Sequence, residues 1–106
     1  MDRRDDMMRH FPTLLGRWNG GGARLMSLTY SHQTLTILLT RGDRKGCLEV
    51  ACVGPERIEA PCFWNDSLIE IEKAPELFDV IDTTANVRIS GCHVSLHEYD
   101  KEPWER

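Results

Sequence analysis

Apolar and polar positions follow two different periods along the chain, and the change between them divides the sequence. Met7, Met8, Phe11, Leu14, Leu15 and Trp18 recur at the spacings of one helix face. Pro12 interrupts that pattern and biases Phe11 away from helical angles. The stretch 1–18 therefore predicts a helical turn or two, a break, and a second short helical or irregular piece. Asn19-Gly20-Gly21-Gly22 follows as permissive backbone, which reads as a hinge between an N-terminal arm and the main body.

From residue 23 the period becomes two. Ala23 to Ser31 alternate loosely, and Thr34 to Thr40 alternate well, with Leu35, Ile37 and Leu39 on one face. The polar stretch Arg41-Gly42-Asp43-Arg44-Lys45-Gly46 suits a hairpin tip, after which Leu48, Val50 and Cys52 resume the alternation. Gly54-Pro55 turns the chain, and 57–60 predicts a short strand. The loop 61–66 carries heavy apolar side chains, Phe63 and Trp64 among them. Further strands are expected over 67–72 and 77–82, with turns at 73–76 and 83–86.

The last strand changes parity: Val87 and Ile89 are apolar at odd positions, but Cys92, Val94 and Leu96 at even ones. A one-residue slip turns every later side chain to the other face, so a β-bulge is expected at Ser90-Gly91. Turn signals recur at the spacing of an antiparallel sandwich, barrel or curled sheet. The fold predicted is mainly β: a single antiparallel β domain of six or seven strands over 23–99. A short N-terminal helical arm precedes it, and a tail over 100–106 follows.

Composition narrows the class. The chain has 106 residues, 41% of them hydrophobic and 28% charged, which suits one globular core rather than several, or a disordered chain. No apolar run is long enough for a membrane helix, and coiled-coil and collagen patterns are absent. The net charge of −4 is unevenly spread: residues 1–53 carry eight basic and five acidic side chains, residues 54–106 five and twelve. The acidic half disfavours nucleic-acid binding, which needs a broad cationic surface. The start of the chain lacks the apolar stretch of a secretory signal, so a cytoplasmic location with reduced thiols is expected.

Candidate chemistry is sparse. His93 and His97 match H-x₃-H by count, but on an extended strand they would stand about 13 Å apart. Cys47 and Cys52 fall within a metal-ligand spacing yet diverge on a flat strand. No metal, cofactor or catalytic set is therefore assigned, and none of the nucleophile-elbow, zincin or phosphate-loop patterns occurs. Arg41-Gly42-Asp43 spells a cell-adhesion tripeptide, whose physical content here is a cationic loop continued by Arg44 and Lys45.

The leading expectation is a small acidic, non-catalytic module, of the inhibitor or immunity kind, that binds a protein partner. Its candidate surface comprises Glu56, Glu59, Phe63, Trp64, Asp66, Glu70 and Glu72, with Glu76 beside them. Carboxylates there would meet a basic partner, and the aromatics would anchor it. The alternative is a ligand- or metal-binding face on the final strand, built from His93, Ser95, His97 and Tyr99. The arm either packs on its own sheet or crosses the glycines onto a second copy, giving a homodimer.

Overall fold

Alternation is strongest where the chain forms its central hairpin. The strands β2 (Thr34–Arg41) and β3 (Arg44–Val53) pair antiparallel, with Leu35, Ile37 and Leu39 of one and Leu48, Val50 and Cys52 of the other all buried. The turn is shorter than the sequence suggests, since only Gly42 and Asp43 lie outside the strands. Beside the turn the register shifts between Leu39 and Arg41, and on the facing strand Gly46 takes a φ of +94°, where a Cβ would run into the Tyr99 carbonyl oxygen.

The computed structural model describes residues 8–29 and 33–100, without the side chains of 27–29. The start of the predicted arm and the tail with Trp104 lie outside these residues. The remaining elements are α1 (Phe11–Trp18), β1 (Gly22–Thr29), β4 (Arg57–Glu59), β5 (Phe63–Trp64), β6 (Glu70–Lys73), β7 (Phe78–Asp82), β8 (Val87–Gly91) and β9 (His93–Tyr99). One sheet has the order β5-β1-β2-β3-β9, the other β4-β8-β7-β6, and every pairing is antiparallel. The expected mainly β domain with a short helix is what the chain forms. It has more strands than the pattern counted, because Phe63–Trp64 pairs with β1 inside the expected loop and the last strand is two strands.

That division corrects the bulge expected at Ser90-Gly91. The chain leaves the four-stranded sheet at Gly91, bends at Cys92, and enters the five-stranded sheet at His93. Each sheet turns its own apolar set toward the shared core, so parity slips where the chain changes sheets. Glycine fits the crossing for a steric reason: a Cβ on Gly91 would strike Cys52 Sγ. The Cys92 amide then donates to the Val53 carbonyl at 3.0 Å, stitching the crossing to β3.

The core lies between the sheets. Val50, Leu39 and Val94 from one side meet Phe78, Val80 and Ile89 from the other, and Phe11, Leu15 and Trp18 of α1 join the same cluster. Pro12 sits in the first turn of α1, where its missing N–H costs nothing, so it begins the helix. The Asn19–Gly22 stretch, expected as a hinge, is tied down. The Gly20 amide donates to the Ser67 carbonyl at 2.6 Å, and the Ser67 amide to the Gly21 carbonyl at 3.0 Å. The described part of the arm thus packs on its own domain.

Candidate functional site

The predicted surface residues fall in three places. Glu59, Glu70 and Glu72 share the outer face of the four-stranded sheet, because register aligns Glu70, Ile81, Arg88 and Glu59 in one row and Glu72, Asp79, Ser90 and Arg57 in the next. Glu59 and Glu70 stand on opposite edges, about 14 Å apart at ordinary strand spacing. Phe63 points from the outer face of the other sheet, opposite Arg24, and is 65% exposed. Glu56, Asp66 and Glu76 lie exposed in connections outside the strands.

Trp64 is a core residue, which removes it from the candidate surface. It is 7% exposed, and its indole N–H donates to Asp82 Oδ2 at 2.9 Å. Asp82, fully buried, also accepts from the Leu68 amide at 2.7 Å, the Thr84 hydroxyl at 2.5 Å and the Thr84 amide at 3.1 Å. Burial by itself would raise its pKa. The Leu68, Thr84 and Trp64 donors outweigh that and hold the carboxyl below the ordinary aspartate value. This carboxylate fixes the segment leading into β6.

With that segment fixed, side chains alternate around the mouth of a groove. Leu68 is half exposed, Ile69 is buried, Glu70 is exposed, Ile71 is half-buried and Glu72 is exposed. The opposite wall is α1, whose Phe11, Pro12, Leu15 and Gly16 line a cavity of about 410 Å³ together with Leu68, Ile71 and the two glutamates. Asn19 closes one end: its side-chain nitrogen donates to the Ile69 carbonyl at 3.0 Å, and its Oδ1 accepts from the Ile69 amide at 2.8 Å. The result is an apolar trough with a carboxylate rim along the edge of a sheet. Sequence reading chose Glu70 and Glu72 but missed the trough's apolar walls. The available signal was Leu68, an apolar residue at an outward position beside inward Ile69.

The alternative face is less gathered. His93, Ser95, His97 and Tyr99 share one side of β9, the edge of the five-stranded sheet, opposite Val53, Ala51, Glu49 and Cys47. The extended strand keeps the two imidazoles apart, and among the described residues no three His, Cys, Asp or Glu side chains converge as metal ligands. Cys47 and Cys52 are buried, Cys62 and Cys92 exposed, and none of the four is joined in a disulfide. Burial, with Cys92 and Asp79 nearby, pushes the Cys52 thiol up to about 11.

Two further hollows flank these surfaces. One, of about 320 Å³, lies beside Phe63, Met26, Leu38 and Arg24. The other, of about 500 Å³, is polar and holds Arg17, Arg44, Lys45 and Glu98. There Glu98 accepts from the Trp18 indole at 2.7 Å and from Arg17, while the Arg44 guanidinium lies 5.6 Å from the Trp18 ring centre. The Trp18 donor, ahead of Arg17 and Arg44, outweighs desolvation and lowers the Glu98 pKa. The bonds from Arg17 and Trp18 to Glu98 lock α1 to β9.

No protein-family model, curated protein or solved structure matches the chain. Among the described residues, no helix is long and apolar enough to cross a membrane.

Proposed function

We propose that this chain is a non-catalytic protein-interaction module whose outer four-stranded face and β6 edge receive a basic partner surface. The observation that carries the reading is the register of that sheet, which sets Glu59, Glu70 and Glu72 on one face. Two of these three also rim the apolar trough. Glu59 is paired with Arg57 at 2.8 Å, whereas Glu70 and Glu72 form no ion pair among the described residues. Carboxylates without internal partners are the ones that steer a cationic surface and set its orientation.

Charge reversal tests the reading. A labelled deca-lysine peptide, titrated at low salt and followed by fluorescence anisotropy, is expected to bind the native chain. The double variant Glu70→Lys/Glu72→Lys is expected to bind it about tenfold more weakly, the scale for two exposed charge contacts. Arg24→Glu, on the other sheet, serves as the control and should cause no loss. Equal binding by the native chain and the double variant would overturn the proposal.

A further inference from the structure

Among the described residues, the edge of β6 is open just where the trough begins. Residues 19–21 run antiparallel to 67–69 and bond to them, with the Asn19 side chain serving both the N–H and the C=O of Ile69. Ile69 therefore directs its backbone groups away from β7. Alternation along a strand gives Ile71 the same direction, while Glu70 and Glu72 bond inward to β7. At Trp18 the chain has already entered α1 and left the sheet edge. Among the described residues nothing pairs with the outward N–H and C=O of Ile71, so the short ladder started by Asn19–Gly21 stops one step before it.

We infer that an extended segment of the protein partner adds to β6 as a fifth strand of this sheet, continuing that ladder. The inference rests on the proposed interaction function and names what the partner brings. A strand laid along β6 alternates its side chains between two different surroundings. Those pointing inward enter the trough against Phe11, Leu15 and Ile71, which is apolar. Those pointing outward stand beside Glu70 and Glu72, on the face that the register assigns them. The matching segment alternates apolar with basic residues. Charge complementarity thus selects the occupant, and the half-exposed Leu68 at the mouth adds apolar contact. The two other hollows do not combine these features: the one beside Phe63 adjoins a cation, Arg24, and the polar one is lined by Arg17, Arg44 and Lys45, which would repel a basic segment.

Two synthetic peptides separate strand addition from plain charge attraction. The first is acetyl-Lys-Ile-Lys-Ile-Lys-amide. The second is identical except that both isoleucine amides are N-methylated, which keeps charge and apolar surface but removes the backbone donors. The first peptide is expected to bind and to slow hydrogen exchange at the Ile71 amide. The second is expected to bind about tenfold more weakly and to leave Ile71 exchange unchanged, since one or two backbone bonds are lost. If both bind equally and both weaken with Glu70→Lys/Glu72→Lys, strand addition is overturned while the acidic docking face stands. If neither binds, or charge reversal affects neither, both the strand addition and the interaction reading fall.

Discussion

Asp82 shows how one residue can fix a loop that the sequence leaves unmarked. Its carboxylate takes four hydrogen bonds from Trp64, Leu68 and Thr84. Asp82→Asn keeps the shape but turns an NH₂ toward donors, and is expected to cost about 2–4 kcal/mol in urea unfolding at neutral pH. The folded pKa lies below the unfolded one, so this stability is present above the unfolded value, about 4, and fades as pH falls through the folded value. The gap between native chain and variant should therefore shrink in acid; a gap independent of pH would contradict the assignment. Gly91 and Cys52 offer a second residue-scale test. Gly91→Ala drives a methyl into Cys52 Sγ, and overpacking of this kind costs about 1–3 kcal/mol. Adding Cys52→Ala should recover part of that loss, though not all, because the Val53 carbonyl also lies 2.9 Å from the added carbon. A double-mutant cycle of thermal unfolding measures the coupling. Neither contact was legible in the sequence, since Trp64 and Asp82 stand 18 positions apart, Cys52 and Gly91 lie still further apart, and only the tertiary fold brings each pair together.

At the scale of elements, pattern reading did well where one face meets the core and poorly where the chain changes partner. The β2–β3 hairpin follows from alternation alone, because both strands turn a regular apolar face inward. The parity slip after Ile89 was visible, yet a slip marks either an inserted residue or a change of sheet, and only the tertiary arrangement chooses between them. The helix was similarly half legible. Its apolar stripe predicts a buried face, but the partner of that face, here an end of both sheets, is set by Asn19 bonding to Ile69 and Trp18 to Glu98. Trp18→Phe keeps most of the packing and removes the indole donor. It is expected to lower stability by about 1–2 kcal/mol, measured as a shift in urea midpoint with unchanged slope. A changed slope would instead mean that α1 detaches before the sheets unfold. The same elements define the trough, since α1 lies against β6 and the clamp at residues 19–21 and 67–69 closes one end.

For the whole molecule, the division of charge between the two halves of the sequence becomes a division between layers. Strands β1, β2 and β3 come from the first half, and with the turn between β2 and β3 they carry Arg24, Arg41, Arg44 and Lys45 against Asp43 and Glu49; β9, which joins them from the second half, adds Glu98. The entire four-stranded sheet comes from the second half, with Glu59, Glu70, Glu72, Asp79 and Asp82 against Arg57, Lys73 and Arg88. Antiparallel hairpins keep most sequence neighbours in one sheet, so part of the linear asymmetry survives folding although β5 and β9 cross to the other layer. If the proposed function holds, a molecule polarised in this way attracts a cationic partner to one side before contact, and salt weakens that attraction as the screening length contracts. Association of the alternating Lys/Ile peptide is therefore expected to slow as ionic strength rises from about 0.05 M to about 0.5 M, where the screening length falls to a few ångströms. Its dissociation should change much less, because apolar contacts in the trough and backbone bonds to β6 are insensitive to screening. Stopped-flow traces separate the two rates. A salt effect confined to dissociation would place the charges within the bound contact and remove long-range steering by this face from the account.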